Sequence, residues 1–303
     1  MNELSLFSGA GGGLLATKHF LKWRTIGYVE QNHYCQNIIS QRAKEGLLDS
    51  APLWGDINEF IESGAVDQYK GVTDVVTGGF PCQPFSVAGR RKGKDDGRNC
   101  WPQCIEVIRR VKPRFFFGEN VPGLLNSGYF PEILRSLAQA GYATRWVVLG
   151  VDDVGGNHRR KRLWLLAYAD TGQRIEPQEQ IQTGGATSDD SGEYVAHSVS
   201  DSEGSAHGSK VWRGFERWED EDIKEWYEVG GNPTNFSGQW AIEPSVGRVA
   251  HGVASRVDRL KALGNGQVPL VADVAWGMLG GQELEEIRAE GSPQNGRGEN
   301  TCG

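Results

Sequence analysis

Residues 4–31 read "LSLFSGAGGGLLATKHFLKWRTIGYVEQ", and the order of their features decides the fold. A short apolar run ends on Gly9, and Gly11, Gly12 and Gly13 follow at once. Apolar residues then recur at helical spacing, and a second apolar run closes on an acid, Glu30. Strand, glycine turn, helix and strand make one βαβ unit. The glycines leave the backbone bare where the chain enters the helix, so a ligand can lie against the unpaired N–H groups of the helix N-terminus. Nineteen residues after Gly11, Glu30 stands where a carboxylate can accept hydrogen bonds from ribose hydroxyls. Such a loop is common to several nucleotide cofactors and does not choose among them.

The alternation continues outward. "HYCQNIISQRA", "CIEVIRRV" and "FPEILRSLAQAG" read as helices; "TDVVTGGF", "RFFFGENV", "ATRWVVLG" and "KRLWLLAYA" read as strands. "GDI" at 55–57 closes a short third strand, where Asp56 can accept from an adenine amine. Residues 1–168 therefore predict an α/β sheet with helices on both faces. Beyond them, Gly, Ser, Thr and acids dominate and tryptophans stand singly, which marks a smaller irregular module over 169–258. "RVDRLKALGNGQVPLVADVAWGML", at 256–279, reads as a loop and then a helix, and residues 259–282 are expected to rejoin the first domain. The polar, Gly-rich tail 283–303 predicts disorder.

Composition narrows the class. The 303 residues are 38% hydrophobic with a mean hydropathy of −0.48, enough for an independent core. No apolar run approaches the roughly 20 residues of a membrane span. Glu3 and the glycines stand where an export signal needs apolar residues, so the cell interior is the expected location. Five cysteines (Cys35, Cys82, Cys100, Cys104 and Cys302) are odd in number and irregularly spaced, which argues for reduced thiols over a disulfide framework. Cys100 and Cys104 have no second pair at zinc spacing, and no metal is expected.

"GGFPCQPFS", at 78–86, holds Cys82 between Pro81 and Pro84 just past a strand. Proline fixes its own φ and restricts the residue before it, so this thiol is aimed by a stiff segment at a strand end, where open α/β sheets place their chemistry. In chain order, "LFSGAGGG", Glu30, "GDI", "GGFPCQPFS", "GENV" at 118–121, "HRRKR" at 158–162 and "GNGQVP" at 264–269 resemble the motifs of bacterial and phage-type DNA cytosine-5 methyltransferases. The Pro-Cys-Gln and Glu-Asn-Val pieces are the most specific. The resemblance covers 1–168 and about 243–280, and one position departs from it: His158 stands where the family has glutamine.

The resemblance implies a Rossmann-like S-adenosylmethionine-dependent methyltransferase sheet with a target-recognition module between the arginine and Gly-Asn motifs. It places the cofactor against Phe7, Gly9, Ala10, Gly11, Gly12, Glu30, Asp56, Ile57, Pro81 and Asn265. It assigns catalysis to Cys82, Glu119, Arg160 and Arg162, and duplex DNA contact to Gln83 and Ser86. It also implies the cytoplasm of a bacterial or phage-infected cell, and leaves room for a cognate restriction endonuclease as partner. The chemistry suits these residue types. A thiolate added to carbon 6 of cytosine makes carbon 5 nucleophilic enough to take a methyl group. A carboxyl buried at the end of "RFFF" is pushed toward its protonated form, which can donate to ring N3. Arg160 and Arg162 alternate on a strand and so share one face, suited to a base carbonyl and a phosphate.

The basic loop "GRRKGKDDGRN" at 89–99 offers Arg90, Arg91 and Lys92 to phosphates over an extruded base. Net charge is −7, but five lysines and arginines against sixteen acids put −11 within 170–243, which leaves +4 elsewhere. Most of that acidic stretch must face away from DNA. Its contacts are expected from "SKVWRGFERW", with Arg213 among aromatic residues, and from Arg248, because arginine reads guanine in the major groove. Trp212, Phe215 and Trp218 also suit a small module's core. An RNA methyltransferase on the same scaffold is the rival reading. A non-catalytic homologue is a third, opposed by the presence of Cys82, Glu119, Arg160 and Arg162.

Overall fold

The apolar runs become strands of one sheet in the structure, a computed structural model that describes residues 1–81, 99–156, 159–169 and 256–290. The strands are β1 (Asn2–Leu6), β2 (Arg24–Val29), β3 (Leu53–Trp54), β4 (Val75–Gly78), β5 (Phe115–Asn120), β6 (Tyr142–Leu149) and β7 (Arg162–Ala169). Their spatial order is β3-β2-β1-β4-β5-β7-β6. The first five run parallel, and β7 lies antiparallel between β5 and β6. This is the Rossmann-like α/β sheet expected. The chain leaves β1 for β2 and β3 on one side, then crosses back to place β4 on the other. The crevice of an open sheet opens at such a reversal, beyond the strand C-termini. "FSGAGGG" leaves β1 there and "GGFP" leaves β4.

Helices cover both faces. The glycine loop enters α1 (Gly12–Leu15), which widens into a π turn over Ala16–Phe20. Then come α2 (His33–Lys44), α3 (Ile57–Glu62), α4 (Trp101–Val111), α5 (Phe130–Gln139), α6 (Arg256–Asn265), α7 (Pro269–Met278) and α8 (Gly281–Glu290). Local signals set their ends: the Asn32 side chain accepts from the Cys35 N–H at 3.1 Å to cap α2, while α4 carries Pro102 in its first turn and stops at Lys112, φ 51°.

Strand alternation sorts the core. Leu4, Leu6, Val76 and Phe116 pack with α4 and α5; Val75, Phe115, Phe117 and Trp164 pack with the π turn and α7. Trp276 of α7 meets Trp23 edge-on at 4.8 Å, with Phe115 at 5.4 Å and Phe117 at 5.3 Å. Truncating such a ring costs about 3–5 kcal/mol, so α7 is anchored firmly beside the glycine loop.

Two expectations are corrected. Residues 256–265 form a helix where the sequence predicts a loop, so the Gly-Asn motif lies on a helix–turn–helix. The tail expected to be disordered from 283 is helical to Glu290. Leu284 is 2% exposed, and the Trp276 indole donates to Glu285 Oε1 at 3.1 Å. A few apolar contacts order a segment whose average composition is polar. Residues 170–255 and 291–303 lie outside the described residues.

Candidate active site

The loop leaving β1 is conformationally demanding. Phe7 has φ 53°, Gly9 57° and Gly11 92°. A bulky side chain at positive φ is an outlier that persists only where its surroundings hold it. Glu30 supplies part of that hold: Oε2 accepts from the Gly9 N–H at 2.7 Å and Oε1 from the Asn32 N–H at 2.7 Å. Each oxygen keeps a further lone pair. Glu30 thus shapes the loop as well as lining the crevice.

That crevice is a cavity of about 1280 Å³ whose walls include Phe7, Gly9, Ala10, Glu30, Asp56, Ile57, Pro81 and Asn265 among the residues expected there. Gly12 lines a smaller adjoining cavity. Gly11 lines neither; it packs near Leu14 and Leu48 and serves the turn through its left-handed φ. Asp56 is the N-cap of α3, with Oδ1 accepting from the Asn58 N–H at 2.6 Å, while Oδ2 lies 3.5 Å from Gln31 Nε2. Only Oδ2 is therefore spare for an adenine amine. The α-helical part of α1 is four residues long, so the loop offers local N–H groups more than a helix dipole.

Glu119 closes the other side. It sits near the end of β5 with Oε1 accepting from Arg162 Nε at 2.8 Å. Burial pushes its carboxyl above the ordinary glutamate range, and Arg162 and then Arg160 pull it partly back. Gly79 leaves room beside it: a Cβ there would come within 3.3 Å of Glu119 Oε2 and 3.4 Å of Gln267 Nε2. Asn120, which points to the opposite side of the strand, donates from Nδ2 to the Phe80 carbonyl at 3.0 Å and so ties "GENV" to the segment that leads into Cys82. Asn120 and Gln267 both lie within the sequence motifs, but no local signal marks either as a contact.

Arg160 departs from expectation. β7 begins at Arg162, so the two arginines do not alternate on a strand. Arg162 turns to Glu119. Arg160 Nη2 instead donates to the carbonyls of Gly264 at 2.6 Å and Gly266 at 2.5 Å. Cys82, Gln83, Ser86, Arg90, Arg91, Lys92, His158, Arg213 and Arg248 lie outside the described residues, although Pro81, adjoining Cys82, lines the large cavity.

Fold and crevice together define a class: a Rossmann-like α/β domain whose switch point joins a glycine loop and its acid to a partly buried carboxyl–guanidinium pair. The profile of the C-5 cytosine-specific DNA methylases matches residues 1–257, and the chain belongs to that family. It is 31% identical over 169 residues to the type II methyltransferase M.NgoMIV of Neisseria gonorrhoeae, covering 54% of this chain and 51% of that protein. It is 32% identical over 180 residues to the type II methyltransferase M.AquIA of a Picosynechococcus strain, covering 54% and 70%. The match spans 28% to 70% of the length of such curated relatives, and about half of M.NgoMIV. A crystal structure of a Spodoptera frugiperda DNMT2 mutant superposes with a TM-score of 0.46 at 21% identity, covering 56% of this chain and 50% of that one.

Proposed function

We propose that this chain methylates carbon 5 of cytosine in a specific duplex DNA sequence, using S-adenosylmethionine and a covalent Cys82 adduct at carbon 6 of a flipped base. The observation that carries the reading is one cavity shared by the glycine loop, Glu30, Pro81, Glu119 and Arg162. The residues suit the cofactor: an added Cβ at Gly9 would have no protein atom within 4 Å, and Glu30 retains acceptor capacity beside it. When bound, S-adenosylmethionine supplies an electrophilic methyl group.

The chain's own residues do the rest. The Cys82 thiolate attacks carbon 6 while Glu119, whose proton affinity burial raises, donates a proton to N3, so that the displaced electron pair makes carbon 5 nucleophilic. Arg162 fixes the Glu119 carboxyl from one side, which leaves Oε2 toward Gly79 and the base site. After methyl transfer, loss of the carbon 5 proton to a base expels the thiolate and restores the aromatic ring, and the N3 proton returns to Glu119. Carbon 6 is inaccessible in a stacked duplex, so the base must be extruded, with Arg90, Arg91 and Lys92 as phosphate contacts. The type II names of the relatives make a cognate restriction endonuclease the proposed partner.

Cys82→Ala should abolish methyl transfer to duplex DNA and leave S-adenosylmethionine binding nearly intact. Duplex carrying 5-fluorocytosine should trap the wild-type protein covalently, because fluorine does not leave as a proton does. Turnover by the alanine variant would overturn the covalent route, and transfer to tRNA but not duplex DNA would move the substrate.

A further inference from the structure

The end of α6 and the turn that follows it, Gly264–Gln267, bring Asn265 to the cavity, and this segment is gripped from two sides. On one side it rests on bare glycine: a Cβ at Gly12 would come 2.5 Å from the Gln267 carbonyl oxygen, and one at Gly13 would collide with Gln267 Oε1. On the other side, Arg160 Nη2 directs its two hydrogens at the carbonyls of Gly264 and Gly266, at 2.6 and 2.5 Å. Those two carbonyls flank Asn265. Hydrogen bonds from a charged guanidinium are among the stronger ones available, and with both hydrogens of Nη2 on backbone carbonyls, this nitrogen is committed to the turn. Arg160 stands two residues from Arg162, which holds Glu119.

We propose that Arg160 is a positioning residue for the cofactor: it clasps the Gly264–Gly266 turn against the glycine loop and ties closure of the cofactor cavity to the segment that carries Arg162. Without the clasp, the segment loses one of the two holds described and opens more readily, so Asn265 is less often in place. The loss belongs to cofactor affinity. This inference rests on the cofactor reading above, and its test separates the two.

The full chain is titrated with S-adenosylmethionine as wild type and as Arg160→Met, Arg160→Lys, Gly12→Ala and Glu30→Ala, with kcat and the KM for cofactor measured on duplex DNA. Arg160→Met should bind about 10-fold more weakly or worse, the scale of a lost charged hydrogen bond, with the loss falling on KM more than on kcat. Arg160→Lys should recover part of the affinity. Gly12→Ala pushes the same turn from its other face and should share the signature, which keeps the test decisive if Arg160→Met folds poorly. Unchanged cofactor affinity with a collapse of kcat would place Arg160 on the base and overturn the clasp. If Glu30→Ala weakens binding while the Arg160 variants do not, the clasp alone fails. If none of them weakens it, the cofactor site itself is misplaced.

Discussion

Glu119 carries two opposed influences. Removal from water favours its neutral form, whereas Arg162 at 2.8 Å favours the carboxylate, and burial prevails. A carboxyl whose folded pKa is raised binds its proton more tightly in the native state. Its stability contribution is therefore present below the ordinary glutamate range and is lost as pH rises through the folded value. On the proposed mechanism, activity falls through the same window as Glu119 loses its proton. Glu119→Gln is neutral at every pH and has no proton to transfer. It should lower kcat by about 10²–10⁴ and flatten the alkaline limb of kcat/KM against pH. A Gln variant that keeps that limb would assign the titration to another group.

At the scale of elements, Glu3 has a role that its sequence position conceals. It is 1% exposed in the middle of the sheet, with Oε2 accepting from Thr17 at 2.7 Å and Thr25 at 2.8 Å, and Oε1 from Thr77 at 2.6 Å. One carboxyl thus joins β1 to β2, to β4 and to the π turn behind the glycine loop. Burial pushes its pKa up, and the three hydroxyls offset this in part. By the same linkage, stability should decline as pH rises above the ordinary glutamate range. Urea melts at pH 5 and pH 8 should show a larger drop for wild type than for Glu3→Gln, which has no proton to lose. Glu3→Leu should cost about 1–3 kcal/mol for each hydroxyl left without a partner. Equal pH dependence in wild type and Glu3→Gln would mean that Glu3 keeps one charge state throughout.

For the whole molecule, the proposed DNA substrate makes the distribution of charge decisive. Residues 170–243 carry −11 and the remainder +4, so a polyanion is repelled by most of the acidic stretch and attracted elsewhere. Recognition should then depend on the stretch's exceptions. Arg213→Ala or Arg248→Ala should relax or abolish site choice, each lost bidentate contact being worth about 1–3 kcal/mol of discrimination. Neutralising Glu219, Asp220, Glu221 and Asp222 should keep the site and strengthen non-specific binding. Bisulfite mapping of methylated sites and DNA affinity against salt read both outcomes. Arginine variants that methylate the same site at the wild-type rate, with loss of the site on neutralisation, would reverse the recognition surface.

The sequence by itself determined the βαβ opening, the order of the strands and most helices of residues 1–168, and the motifs, because periodicity, glycine turns and short motifs are local properties. The tertiary structure alone decided which partners those residues take. Arg160 reaches a carbonyl 104 residues away, a pairing no strand periodicity encodes. Asp56 caps a helix because α3 starts there, and Glu3 is buried by its place in a central strand despite its charge. Asn120 and Gln267 gained their places only when β4, β5 and the α6–α7 turn met. The tail helix formed because Leu284 found a core to enter. In each case the deciding energy is a hydrogen bond or a burial between segments far apart in the chain, and it exists only once the sheet has brought them together.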